Sequence, residues 1–237
     1  MFKEKINLDM LPNHIAITMD GNGRWAKSLG KMRIFGHQNG VKSVRDTVEG
    51  AAEIGIKYLT LYAFSKENWQ RPKKEVNALM SLLISTIHKE TNTLIKNNIR
   101  LQSIGEIKSL PNKCQEELIS AMERTKQNNR TTLILALSYS GRWDIINAIK
   151  KLNQEKININ TLNEEKFSQY LSTKNVPNPE LLIRTSGEKR ISNFLLWEIA
   201  YSELYFTKKL WPEFRREDLF EAIYEFQKRD RRFGQLN

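Results

Sequence analysis

The chain has 237 residues, 40% of them hydrophobic, and its 38 lysines and arginines against 27 aspartates and glutamates give a net charge of +11. No apolar run approaches the roughly 18 residues of a membrane span. Met1-Phe2-Lys3-Glu4-Lys5 lacks the apolar region of a signal peptide, and the single Cys114 excludes an intrachain disulfide, so a cytoplasmic protein is expected. Three widely spaced histidines and one cysteine argue against a zinc site. The basic excess invites nucleic acid, an anionic membrane surface or phosphorylated small molecules.

In chain order, His14-Ile15-Ala16-Ile17-Thr18 is short, apolar and β-branched, which predicts a buried strand. It runs into Met19-Asp20-Gly21-Asn22-Gly23-Arg24-Trp25-Ala26-Lys27, beyond which the chain can turn helical. A strand, a glycine turn and a helix start build an anion site. Gly21 and Gly23 let backbone N–H groups approach a phosphate, and Arg24 adds a forked cation. Asp20 would repel a phosphate unless a divalent cation bridges the two, so the turn suggests diphosphate plus magnesium. A plain βα turn is the alternative, because Gly-x-Gly alone is a weak motif. Arg33-Ile34-Phe35-Gly36-His37 reads as a loop whose Arg33 and His37 curl back to this turn.

Residues 41–54 follow with a helical face of Val41, Val44, Val48 and Ala51, then a strand at 58–64. The longest helix, 75–97, is apolar around more than one face through Leu79, Met80, Leu82, Leu83, Ile84 and Ile87. Such a helix is buried against the sheet, forms a dimer contact, or walls a cavity for a long apolar ligand. Strands are expected at 100–104, 132–137, 181–184 and 203–207, with helices at 113–128, 143–152, 164–171 and 216–229. This alternation predicts one α/β domain over residues 1–237, with a mostly parallel six-stranded sheet flanked by helices.

Ligands of an open parallel sheet bind outside the carboxyl ends of its strands. Besides the first turn, those ends carry Ser65-Lys66-Glu67-Asn68-Trp69-Gln70-Arg71-Pro72, Ser138-Tyr139-Ser140-Gly141-Arg142-Trp143-Asp144, and Arg184-Thr185-Ser186-Gly187-Glu188-Lys189-Arg190-Ile191-Ser192-Asn193. Four arginine-bearing loops on one edge would form a basic cleft. Arginines in separate loops suit a compact polyphosphate better than nucleic acid, which calls for a basic helix or basic–aromatic stripes. The phosphate-loop motif Gly-x-x-x-x-Gly-Lys-Ser/Thr is absent.

Residues 14–27, 59–72, 182–197 and 201–206, with Gly36-His37 and Gly141-Arg142-Trp143, resemble the bacterial undecaprenyl diphosphate synthase family of cis-prenyltransferases over nearly the whole chain. The resemblance implies an apolar tunnel beside the sheet, for a cis-polyprenyl chain grown by adding isopentenyl diphosphate to an allylic primer such as farnesyl diphosphate. Gly21, Asn22, Gly23, Arg24, Trp25, Arg33 and His37 would meet the allylic diphosphate, and Arg184, Arg190, Ile191 and Ser192 the isopentenyl diphosphate. Asp20 would hold Mg2+, with Glu203 as a second metal carboxylate. Ser65, Lys66, Glu67, Asn68, Trp69 and Arg71 match a mobile loop that closes over both substrates. Asn68 aligns with the residue proposed as proton acceptor, but an amide is a poor base and would rather orient the isopentenyl group or a diphosphate oxygen.

The family further implies a homodimer, with Arg232-Phe233-Gly234 reaching the partner's isopentenyl site, and a peripheral membrane contact for product release. Silent subunits of heteromeric relatives tend to lose the first-turn aspartate and the arginines, whereas Asp20, Arg24, Arg184 and Arg190 are all present. Ser138, Glu180 and Glu198 stand where Asn, Asp and Gln are usual. No Asp-Asp-x-x-Asp run of a trans-prenyltransferase occurs.

Overall fold

A computed structural model describes residues 1–230, so the Arg232-Phe233-Gly234 motif lies outside the described residues. Six strands form one sheet: β1 His14–Thr18, β2 Tyr58–Ser65, β3 Ile99–Ile104, β4 Thr131–Tyr139, β5 Leu181–Arg184 and β6 Glu203–Phe206, in the order β3-β4-β2-β1-β5-β6. Every neighbouring pair is parallel. A parallel sheet needs cover on both faces, and the helices supply most of it. They are α1 Asn22–Ser28, α2 Arg33–Ile54, α3 Lys73–Lys96, α4 Asn112–Thr125, α5 Gly141–Gln154, α6 Glu164–Ser168 and α7 Arg216–Gln227.

Side chains alternate across the strands with period two. Ile15, Ile17, Leu59, Leu61, Leu181 and Ile183 face the larger core, shared with α2, α3, α4 and α7. Ala16, Ile134, Ala136 and Leu182 face the smaller one, where Phe194 stacks on Tyr62 with ring centroids 4.3 Å apart. From β1 the chain steps to β2 on one side and later returns to place β5 on the other. The order therefore reverses between β1 and β5, and the crevice at the carboxyl ends of those strands is where such sheets bind ligands.

Two expectations change. Arg33–His37 is not a loop but the first turns of α2. Glycine disfavours a helix interior by about 1 kcal/mol, so Gly36 and Gly40 hide the helix in the sequence. Both are there for contact: a Cβ on Gly36 would lie 1.9 Å from the Asn22 carbonyl oxygen, and one on Gly40 2.6 Å from Asn22 Oδ1. The bare face lets α2 press against the start of α1. The loop after β2 is also ordered more than expected, as a 3-10 helix over Lys66–Gln70.

Candidate active site

Asp20 and Arg184 meet at the reversal point. Arg184 ends β5 and is 4% exposed. Its Nη2 donates to Asp20 Oδ2 at 2.8 Å, and its Nη1 donates to the Arg190 carbonyl at 2.8 Å and to Ser192 Oγ at 2.7 Å. Its Nε is buried and makes no hydrogen bond among the described residues. A buried guanidinium with an idle donor beside a cleft is prepared for an anion. Burial pushes the Asp20 carboxyl up, but the Arg184 hydrogen bond and charge, the Gly21 N–H at 2.7 Å and the Arg24 charge outweigh it and hold the group below the usual carboxylate range. The sequence argument treated Asp20 as an isolated repulsive charge; Arg184 neutralises it.

Gly21 precedes α1 at φ +105°, a left-handed conformation that glycine reaches without strain. Its Cβ would also strike Leu210 Cδ2 at 2.8 Å. No side chain caps α1, so its first N–H groups have no intrahelical acceptor. Arg24 leans over this end, hydrogen-bonded to Ser186 Oγ and 3.2 Å from Glu188. Arg33 crosses Gly23, where a Cβ would stand 3.1 Å from the guanidinium carbon. Glu75 binds Arg33 at 3.4 Å and Arg71 at 3.2 Å, which gathers the starts of α2 and α3. Burial, then the charges of Arg71 and Arg33, lower His37 to about 4 against the opposing pull of Glu75. His37 is therefore a neutral ligand at pH 7 and adds no charge.

A cleft of about 750 Å³ runs from Asp20 and Arg184 past Ser192 to Asn68, Arg71 and Arg142. Ser65, Glu67 and Ile191 also line it. Asn68 Oδ1 accepts the Ser65 N–H at 3.2 Å, so the amide caps its own loop and leaves Nδ2 as the donor facing outward. Met19, Tyr62, Asn68 and Arg71 also line a second, apolar cavity of about 230 Å³ between α2, α3 and the sheet. The basic cleft and the apolar cavity are thus contiguous.

Other expected residues do not converge there. Glu203 opens β6, in register with Leu181 at the opposite end of β5 from Arg184, and binds Arg229 at 2.7 Å. At about 3.3 Å per residue, it lies roughly 10 Å or more from the Asp20 end of the sheet. Glu203 therefore lies away from Asp20 along the sheet. Trp25 stacks on Phe35 at 5.8 Å. Trp69 donates to Ser138 Oγ at 2.9 Å and packs edge-on against Phe64. Lys66 pairs with Glu106 and lies over the Trp143 ring. Trp25 joins α1 to α2, and Lys66 and Trp69 support the loop after β2; none of the three lines either space. Arg190 contributes its carbonyl to Arg184 while its guanidinium, 58% exposed, pairs with Glu188.

The model of the family described as "Putative undecaprenyl diphosphate synthase" matches residues 18–234. An isoprenyl transferase of Chlorobaculum tepidum is 53% identical over 96% of this chain and 88% of its own length. A farnesyl-diphosphate-specific ditrans,polycis-undecaprenyl-diphosphate synthase of Pasteurella multocida is 52% identical over 94% of this chain and 95% of its own. Among solved structures, lavandulyl diphosphate synthase from Lavandula x intermedia, in complex with dimethylallyl diphosphate, superposes with a TM-score of 0.92 at 36% identity, covering 96% of this chain and 100% of that one. A probable undecaprenyl diphosphate synthase from Campylobacter jejuni gives 0.80 at 35% identity, covering 94% and 99%.

The chain belongs to the undecaprenyl diphosphate synthase family of prenyltransferases. As a member of that family it is an isoprenyl transferase, and the structure gives particular contacts to four residues at or beside the cleft, of which Arg142 and Asn193 already stood in the strand-end loops of the sequence reading. Glu75 was seen only as part of a helix, although it orders two arginines of the site. Arg142 lines the cleft with an exposed side chain that makes no ion pair among the described residues. Tyr62 lies on the wall shared by both spaces. Asn193 joins three loops, its Nδ2 donating to Glu67 at 2.8 Å and to Ser140 Oγ at 2.7 Å and its Oδ1 accepting the Arg142 N–H at 2.9 Å. Its left-handed φ of 61° is a conformation asparagine tolerates, which is the one local signal it carried.

Proposed function

We propose that this transferase adds isopentenyl diphosphate units in cis to an allylic diphosphate, farnesyl diphosphate, and releases a long polyprenyl diphosphate of undecaprenyl length, the lipid-carrier precursor of cell-wall synthesis. One observation supports the reading: the arginine-lined cleft and the apolar cavity share Met19, Tyr62, Asn68 and Arg71 as walls, so that diphosphates held in the first would leave a growing chain beside the second. The α1 N-terminus, Arg24, Arg33 and Arg71 receive the allylic diphosphate, with neutral His37 as a hydrogen-bonding neighbour. Arg184 and Ser192 receive the isopentenyl diphosphate, and the idle Arg184 Nε supplies a further donor. Negative charge grows on the departing diphosphate as the allylic C–O bond breaks, and preformed cations and N–H groups aimed there lower the barrier. Asn68 orients the isopentenyl diphosphate through Nδ2 while Oδ1 holds the loop.

The donor set fits magnesium. Asp20 is ionised, and Thr18, whose Oγ1 is a buried oxygen without a hydrogen-bond partner among the described residues, lines the same cleft. No cluster of three or more His, Cys, Asp or Glu could hold a metal among the described residues. A single carboxylate is the usual protein share of a Mg2+ that also binds substrate phosphates. Bound there, Mg2+ supplies Lewis-acid stabilisation of the leaving diphosphate.

A homodimer and a peripheral membrane contact belong to the same reading. Ile146 and Ile149 are half-exposed and three residues apart on α5, an apolar strip a second copy can cover. No helix among the described residues is long and apolar enough to cross a membrane, and the enzyme would work in the cytoplasm and visit the bilayer to deliver its product. The test is one incubation of purified protein, Mg2+, farnesyl diphosphate and labelled isopentenyl diphosphate. A long lipid product is expected; no product, or a single condensation, contradicts the reading.

A further inference from the structure

The apolar cavity has one charged feature bridging its two helical walls. From α2, Val41, Val44 and Val48 face it, and from α3, Leu83 and Ile87. Between them Arg45 Nε donates to Glu90 Oε2 at 2.9 Å, and Arg45 Nη2 donates to Oε1, a bidentate pair joining α2 to α3. Both residues line the cavity. Leu83, Ile87 and Glu90 follow at intervals of four and three on α3, so the glutamate belongs to the cavity-facing side of the helix. The Glu90 side chain is 17% exposed and that of Arg45 54%, which places the pair where the cavity meets solvent.

The other ion pair between these helices, Arg33–Glu75, sits at the diphosphate end. Twelve residues of α2 separate Arg33 from Arg45, about 18 Å of helix at 1.5 Å per residue. The two pairs bracket the seam between α2 and α3. On the opposite side the cavity is walled by β2 and β4, which are hydrogen-bonded on both edges, and by Ile99 and Leu101 of the edge strand β3, and packed interiors leave little room to yield. The seam, held by side chains rather than by a backbone ladder, is the wall that parts most readily for added isoprene units.

We propose that the Arg45–Glu90 pair is a clasp across the α2–α3 seam that closes the side wall of the cavity and so limits the length of the polyprenyl product. The assignment rests on the reaction proposed above. A clasp of this kind determines specificity without touching the reacting atoms. Half-exposed ion pairs contribute little to folding, so its loss alters the product far more than the fold. With the clasp gone, the chain end can pass between the helices instead of stopping against the cavity floor, and growth continues for further units.

Arg45→Ala, Glu90→Ala and the exchanged pair Arg45→Glu/Glu90→Arg are compared with the parent by chromatography of the lipid products, with thermal unfolding as a check on the fold. Both single variants are expected to unfold within a few degrees of the parent, to shift the main product upward by at least one unit, and to release it about two- to fivefold faster, the ratio that a weak pair corresponds to. The exchanged pair is expected to return to the parent length. Raising ionic strength from about 0.05 M to about 0.5 M screens an exposed pair and is expected to lengthen the product of the parent but not of the single variants, which keeps the test decisive if one substitution fails to fold. Parent-length or shorter products from folded single variants, or an exchanged pair that behaves like them, overturn the clasp. A parent that makes no polyprenyl product contradicts the reaction itself and is read separately.

Discussion

Asp20 has two partners to satisfy. In the structure its carboxylate neutralises the buried Arg184; in the proposed reaction it would hold Mg2+, and Arg184 would then be free to bind a diphosphate. Removing it affects both. Asp20→Asn keeps the shape and is expected to lower the single-turnover rate on the order of several hundredfold, the effect of losing about 3–4 kcal/mol of transition-state stabilisation. Affinity for farnesyl diphosphate is expected to hold or improve, because a negative charge beside the α1 N-terminus is removed. Rate and affinity measured with and without Mg2+ separate the two effects, and near-parental turnover that still needs Mg2+ would mean that another residue holds the metal. Part of this was legible: a β-branched apolar run followed by two glycines predicts the strand, the turn and the helix start that the structure has. The Arg184 partnership was not, since it depends on which strand lies beside β1. Where Glu203 sits was not legible either, because the sequence does not say which end of β6 abuts the cleft.

Among the elements, the loop after β2 lines the cleft through Asn68 and Arg71, and helix α3 lines the apolar cavity. Trp69 ties the 3-10 helix to Ser138 and Phe64, whereas Arg71 faces the cleft. Trp69→Ala is expected to raise KM by loosening the loop, and Arg71→Ala to lower kcat by removing a diphosphate donor; circular dichroism and steady-state kinetics check both, and unchanged constants would remove the loop from the mechanism. Leu83 and Leu135 face the cavity from α3 and β4. Leu83→Trp and Leu135→Trp fill it and are expected to shorten the product by one or more units, read by chromatography; parent-length products from folded variants would place the tail elsewhere. The breadth of the apolar face on α3 was visible in its sequence, and a cavity wall was among the readings it allowed. The start of α2 was not visible, because Gly36 and Gly40 look like turn residues until the closeness of Asn22 explains them.

For the whole molecule, pH sets limits on both sides. His14 is 2% exposed; its Nδ1 donates to the Pro177 carbonyl at 2.6 Å and its Nε2 accepts from the Thr60 hydroxyl at 2.7 Å, the neutral form. Burial lowers it to about 4, and His37 likewise. A depressed histidine leaves stability fully present above the unfolded value of about 6.5 and removes it as pH falls toward 4, about 3 kcal/mol for His14. Burial pushes Glu198 and Asp144 up, and their mutual charge adds to the shift of Glu198. Raised carboxyls favour folding at low pH, and that contribution is lost as pH rises through their folded values. Resistance to thermal unfolding is therefore expected to be greatest between these limits, and Glu198→Gln to gain over the parent as pH increases from 5 to 8. A gap between variant and parent that stays constant across this range would contradict the assignment. The parallel sheet was readable from alternating strand and helix patterns. The cleft and cavity were readable only as parts, since Asn193, Arg142 and Glu75 take their meaning from residues far along the chain.

The central claim is that cleft and cavity are two halves of one substrate site. A crystal structure with Mg2+ and a non-reactive thiolo analogue of farnesyl diphosphate tests it directly. The account expects the diphosphate between Asp20, the α1 N-terminus, Arg24 and Arg71, and the farnesyl tail between α2 and α3 against Leu83 and Leu135. A diphosphate bound outside that turn, or a tail lying anywhere but in the cavity, would contradict it.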